Sequence, residues 1–452
     1  MSAAIDRFGR LAALRPAQPA MIHEERTSPE DSPTPGLDEC TIAKLLGATI
    51  AGTKYGSHLS IRNWYATPEC PEAAPAALDL LCRTPDPART KKWRAAAADL
   101  EKWLFLDTET TGISGGTGTY AFLIGIAWWD SGGLQVEQFM MRDFSEEHSV
   151  LLELSARIAE RPVLVTFNGK TFDWPLLESR YVMTRCIRVP ELAAHLDLLH
   201  PARAVWKLRL GSVRLVELER HVLDAARMGW TREDDVPSSM IPQFYFDYLR
   251  GRSPLPLAGV VRHNGMDLRG LAALYGKLNS LLDCQHRKET EALDLFGLSR
   301  YLHRRGERTK AESACVAARE RGLPLAFDTQ AQRELAQMAK RRREYATAAM
   351  MWEELLEDAE CRASACEELA IYHERRTKDY AKALKYARKG LQALRVTGKN
   401  SAGIYGISSA AEQRRLDRLR KRIARIEARM KTAGDRNSMP LLQNVRRTAI
   451  GS

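Results

Sequence analysis

No apolar run in this 452-residue chain approaches the roughly 20 residues a helix needs to cross a bilayer, so no membrane role is expected. The eight cysteines are scattered and form no C-x-x-C pair, which argues against zinc-ribbon or thioredoxin chemistry. Met1 to Arg15 has neither a secretory apolar region nor a small-residue cleavage site, so a cytoplasmic location with reduced thiols is expected. Gly169-Lys170-Thr171 would end a phosphate-binding P-loop only with glycine at 164, where Leu164 stands. What is present is ordinary in bulk: 44% hydrophobic residues, enough for a buried core. The net charge of +11 points weakly to a polyanionic partner. Much of it is terminal, since residues 410–452 carry 12 Lys/Arg against 4 Asp/Glu.

The most informative stretch, Trp103 to Tyr120, reads W-L-F-L-D-T-E-T-T-G-I-S-G-G-T-G-T-Y. Its first four apolar residues run directly into Asp107-Thr108-Glu109. A short unbroken apolar run predicts a strand buried on both faces. Alternation along that strand points Asp107 and Glu109 the same way. Two such carboxylates repel each other, and a cation relieves the repulsion. A strand ending in a solvated polar loop would carry the same letters, so the stretch needs support from elsewhere.

Residues 1–40 are rich in Pro, Ser, Thr and Glu and are expected to be disordered. Residues 41–100 are expected to hold a small element around Tyr55, Trp64 and Tyr65, preceding the main domain, and a Pro/Ala linker over 67–90. An α/β domain is expected over 101–284. Its strands are read at 103–109, 120–129, 134–142, 163–167 and 195–199, with helices at 146–160 and from Asp173 to Met183. A further helix is expected after Ser212 and a long one over 257–282. An antiparallel meander extended by parallel strands is the ribonuclease-H-like arrangement, a mixed sheet with flanking helices. From 285 to 397 the periodicity is helical, with related segments starting at 309, 345 and 380. Those offsets sit near the tetratricopeptide period of about 34, so an all-α TPR-like solenoid is expected. A linker, a basic helix from Ala410 to Lys431 and a disordered tail complete 398–452. That helix could bind phosphates, or it could be a solvated face with ion pairs.

Three motifs carry chemistry. Asp107 and Glu109 end a strand, Asp173 opens a helix, and His263 and Asp267 lie four residues apart on the long helix, hence on one face. Four acids around one point can hold two divalent cations, which suits phosphodiester hydrolysis, and a nearby imidazole could accept the proton of the attacking water. Asp197 also ends a strand and is read as structural. Asn168 is read as a turn residue, and His195 with His200 would not share a face for a metal.

D-T-E-T-T-G, N-G-K-T-F-D and H-N-G-M-D resemble the three exonuclease motifs of the DEDD superfamily, and G-G-T-G-T-Y-A-F-L-I-G strengthens a likeness to its bacterial YprB-type ribonuclease-H-like domain. The resemblance covers about 103–280. It implies a metal-dependent 3′→5′ exonuclease that releases nucleoside 5′-monophosphates from the 3′ end of DNA or RNA. By it, Asp107, Glu109, Asp173 and Asp267 would hold two Mg²⁺ or Mn²⁺ ions, oxygen ligands suiting either, and His263 would be the base. The His263–Asp267 offset of four is the spacing of the Tyr-type members. The helical repeats would dock a protein partner or guide substrate. A non-catalytic nucleic-acid-binding or scaffold protein with a vestigial nuclease domain is the alternative of a different class.

Overall fold

The computed structural model describes residues 39–82, 87–112, 118–283, 289–400 and 410–437. The disorder expected at either end and the glycine-rich loop at 113–117 lie outside those residues. Seven strands form one mixed sheet: β1 (Thr49–Thr53), β2 (Gly56–Tyr65), β3 (Trp103–Thr110), β4 (Ala121–Asp130), β5 (Gly133–Met140), β6 (Val163–Thr166) and β7 (Ala194–Asp197). Their order across the sheet is β1-β2-β5-β4-β3-β6-β7. β3, β4 and β5 are an antiparallel meander, and β6 and β7 add in parallel to β3. This is the mixed sheet expected from the sequence, with helices on both faces and a helical region after it.

β3 is flanked on both sides, so its apolar run divides between two cores. Trp103 and Phe105 face one, with Tyr275, Leu268 and Leu271 of the long helix Leu255–Leu282. Leu104 and Leu106 face the other, with helix Glu147–Glu160 and Tyr245 of helix Ile241–Leu249. Tyr275 lies 4.4 Å from Trp103, ring to ring, and so fixes the long helix against the strand that carries the acids. The pairing of β3 with β4 shifts register between Glu109 and Thr110 and closes at Thr110↔Ala121.

Three expectations need correction. The element around Tyr55 and Trp64 does not precede the domain: β2 pairs with β5 from Leu59↔Met140 to Tyr65↔Leu134, so the β1–β2 hairpin is the edge of the main sheet. Residues 67–90 are not a bare linker, because Pro75–Cys82 is a helix and Pro87–Ala97 begins another. Ala77, Leu78, Leu80 and Cys82 are buried in the first core. A Pro/Ala composition suits a helix as well as a linker, since proline fits the first helical position and alanine has the highest helix propensity. Finally, a helix begins at Leu199 directly after β7 and runs to Leu210, ahead of the one expected after Ser212.

The helical region pairs Ala292–Arg304 with Arg308–Glu320, Leu325–Arg341 with Tyr345–Glu354, and Arg362–Tyr372 with Tyr380–Asn400. That arrangement is compatible with the TPR-like repeat. Buried alanines such as Ala311, Ala314, Ala339, Ala348, Ala365 and Ala387 let the helices approach closely. Leu295, Phe296 and Leu302 share a core with Val205 and Trp206, and Arg209 pairs with the buried Asp294, so the first helical pair is packed onto the α/β domain. The C-terminal helix Ala410–Asn437 packs its arginines on acids of the repeats: Arg415 and Arg418 on Glu367, and Arg422, Arg425 and Arg429 on Glu374. Five of that helix's arginines are thus held in ion pairs.

Gly125 of β4 sits opposite Asp107, and a Cβ there would overlap the Asn264 side chain and Leu268 of the long helix. Gly125→Ala is therefore expected to destabilise the fold by roughly 1–3 kcal/mol, as overpacking does. An unchanged midpoint in chemical denaturation would contradict this close approach.

Candidate metal centre

The acids collect where β3 ends. Asp107 and Glu109 point to the face covered by the long helix, and that helix brings His263 and Asp267 over them. Ligand atoms of Glu109, His263 and Asp267 all lie within 4.8 Å of one another. His263 Nε2 is 3.5 Å from Asp267 Oδ2 and 4.0 Å from Glu109 Oε1. Asp173 opens helix Asp173–Thr184 and accepts a 2.5 Å hydrogen bond from Thr108 Oγ1, so it borders the same end of β3. Asp107, Glu109 and Asp173 stay partly open to solvent, which leaves a path for an ion.

The electrostatics are those of carboxylates short of a counter-charge. Burial, then the charges of Asp267, Glu109 and Asp173, push the Asp107 carboxyl well above its ordinary range, with the Asn264 amide opposing. Burial, then Asp267, Asp173 and Asp235, do the same to Glu109 against the Arg232 guanidinium. Burial raises Asp173, opposed chiefly by its hydrogen bond from Thr108. Glu109 makes no hydrogen bond among the described residues. Partly buried carboxylates in this state fit a hard divalent cation, which takes oxygen ligands and removes the repulsion.

A second ring holds the first. Asn264 Nδ2 donates to Asp107 Oδ2 at 2.8 Å, and Gln138 Nε2 of β5 donates to Asn264 Oδ1 at 2.9 Å, reaching it across Gly125. Asp235 accepts from His263 Nδ1 at 2.8 Å. A carboxylate there keeps the proton on Nδ1, so Nε2, turned toward Glu109 and Asp267, is the nitrogen left to exchange protons. Arg232 bonds Glu219, Asp235 and Asp267, holding Asp267 Oδ1 at 2.5 Å and leaving Oδ2 toward His263. Burial opposes the charge on Asp235, but hydrogen bonds from Arg232 and His263 hold its carboxyl below the usual range.

Sequence reasoning missed Asn264, Gln138, Arg232, Asp235 and Glu219. Asn264 lies inside the H-N-G-M-D motif, and its neighbours were the signal available for it. Arg232 and Asp235 sit in a segment that reads as a loop, where nothing local marks a partner some 30 residues on. The remaining candidates fall outside the centre. Asp197 accepts from the backbone N–H groups of Asn168, Lys170 and Leu199, so it shapes the turn before Asp173. Asn168, with φ of 70°, is that turn. His195 is buried against Thr166, and desolvation lowers its pKa to about 4.

A family model of the RNase_H superfamily, RNase_H_2, matches residues 104–279, a span that contains all five candidate residues. The chain is also 31% identical to "Uncharacterized protein YprB" of Bacillus subtilis (strain 168) over 293 residues, covering 64% of this chain and 68% of that one. The chain belongs to the RNase H superfamily, in the family of YprB. Members of this superfamily are usually hydrolytic nucleases, and their fold typically uses divalent metals, in keeping with the donor set here. Among solved structures, the family B DNA polymerase from the hyperthermophilic archaeon Pyrobaculum calidifontis overlaps 45% of this chain and 29% of its own. That overlap has 14% identity and a TM-score of 0.30.

The raised carboxyls have a consequence for stability. Above the ordinary carboxylate pKa of about 4, the folded state keeps protons that the unfolded chain has lost. Stability without a cation therefore falls as pH rises through the raised values. In EDTA the protein is expected to melt at a lower temperature at about pH 8 than at about pH 5, just above the ordinary carboxylate range, with excess Mg²⁺ or Mn²⁺ reversing the loss. Melting curves that ignore both pH and cation would contradict the charge distribution described.

Proposed function

We propose that this member of the RNase H superfamily is a metal-dependent 3′→5′ exonuclease that releases nucleoside 5′-monophosphates from DNA or RNA. The observation that carries the reading is the grouping of Glu109, His263 and Asp267 within 4.8 Å at the end of β3, with Asp107 and Asp173 near enough for the carboxylate charges to act on one another. The likeness of their three motifs to those of DEDD exonucleases supports the direction and the product.

In this reading the four carboxylates hold two divalent ions, Mg²⁺ or Mn²⁺. When bound, such ions activate water and stabilise the attacking and leaving oxygens of a phosphodiester. The protein's own part is positional. β3 presents Asp107 and Glu109 side by side, the long helix brings Asp267, and Asn264 and Arg232 fix which carboxylate oxygens face inward. His263 Nε2 takes the proton from the attacking water, its ring held in place by Asp235 through Nδ1. Asp235 thereby also supports the positive charge that the imidazole gains.

The test uses 5′-labelled DNA and RNA oligomers with Mg²⁺ or Mn²⁺, with and without EDTA. Shortening from the 3′ end with release of mononucleotides is expected, stopped by EDTA and by a blocked 3′ terminus. Asp107→Ala and Glu109→Gln are expected to slow it by about 100-fold or more. Asp235→Asn is expected to lower kcat more than it raises KM, since it acts on the proton acceptor rather than on substrate binding. Oligomers left intact with either metal would sink the reading, and internal cuts in a 3′-blocked substrate would replace it with an endonuclease.

A further inference from the structure

The helical region carries two clefts that the proposed hydrolysis does not use. One, of about 360 Å³, is lined by Arg300, Arg304, Arg333 and Arg341 with His303. The other, of about 400 Å³, is lined by Lys340, Arg341, Arg375 and Arg376, beside Tyr345 and Tyr372. Gln337 and Arg341 line both, so the two clefts adjoin and together make a furrow. Seven cationic side chains face it against two carboxylates, Glu334 and Glu368.

Glu334 pairs with Arg300 and also feels the charges of Arg333 and Arg304, and Glu368 pairs with Lys340, so two carboxylates face seven cations. Arg304, Arg333, Arg341 and Arg375 make no ion pair among the described residues, and all four are exposed. Burial, then the fields of Arg341 and Arg308, depress the pKa of His303, which adds no positive charge of its own at neutral pH. The contrast with the C-terminal helix is informative. There five arginines are matched to Glu367 and Glu374. Five guanidinium groups outnumber two carboxylates there too, but each of those five sits in an ion pair, whereas four arginines of the furrow sit in none among the described residues.

A concentration of unmatched guanidinium groups favours a polyanion, and arginine is suited to phosphate by its fork of donors. Arg376 stacks over the Tyr345 ring at 3.6 Å, so the second cleft joins positive charge to aromatic surface. That combination suits a single strand, whose phosphates track the charges while its bases stack. An acidic peptide would need an equally unbroken run of carboxylates to use the whole furrow.

We propose that the furrow binds single-stranded nucleic acid through its phosphates. The choice of nucleic acid over another polyanion rests on the nuclease reading. The test is fluorescence anisotropy of a labelled oligonucleotide of about 20 residues with the full chain in EDTA, from about 50 to 200 mM salt. Arg304→Gln/Arg333→Gln/Arg341→Gln is expected to bind about 10-fold more weakly, with a log–log salt slope shallower by about 2. The Arg→Lys triple at the same positions is expected to recover most of the binding. Arg375→Gln/Arg376→Gln, at the other end of the furrow, gives the same reading independently should the first variant melt early.

Wild-type affinity and slope in both Gln variants would overturn the proposal. So would displacement of the oligonucleotide by polyglutamate as readily as by unlabelled strand, which would make this an acidic-peptide surface. The two readings separate cleanly. A protein that cleaves with Mg²⁺ or Mn²⁺ while the Gln variants bind unchanged loses the furrow alone. A protein that cleaves nothing, yet loses strand binding in those variants, loses the nuclease reading and keeps the furrow.

Discussion

Mutual repulsion among carboxylates is the constraint on which the rest of this structure depends. Asp107, Glu109, Asp173 and Asp267 come from three separate elements and are held where water screens them poorly. Left to themselves, Asp107, Glu109 and Asp173 would separate from the cluster or stay protonated. What opposes them is the packing of the sheet and the long helix, anchored by Trp103 against Tyr275 and by a continuous apolar core. The fold thus holds in place an arrangement that is unfavourable until a cation arrives, which is a common condition of functional sites.

The second ring explains how the arrangement stays specific. One oxygen of Asp107 is tied through Asn264 to Gln138, and one oxygen of Asp267 is tied to Arg232. Each tie leaves the other carboxylate oxygen for the centre. The glycine at 125 belongs to the same design, because a side chain there would displace Asn264. Arg232 also keeps Glu219 and Asp235 from adding two more unmatched charges to the cluster.

Much of this was legible from residue order. Unbroken apolar runs marked the central strands, and spacings of two on a strand and four on a helix put Asp107 with Glu109 and His263 with Asp267. Two kinds of information were not. The edge hairpin pairs Leu59 with Met140, and no local pattern encodes a partner so distant in sequence. The supporting ring draws Arg232 and Asp235 from a segment without periodicity, so their roles follow only from where the chain is folded back. Pro/Ala-rich composition misled over 67–90 because helix and linker share those residues. The helical pairs were visible in their repeat, whereas the contrast between matched and unmatched arginines required side-chain partners.

The central claim is that these acids bind divalent cations at one point. Anomalous diffraction from crystals soaked in Mn²⁺ tests it directly. The account predicts manganese density bounded by Asp107, Glu109 and Asp267. Crystals showing manganese only elsewhere, or an empty pocket at saturating concentration, would contradict it.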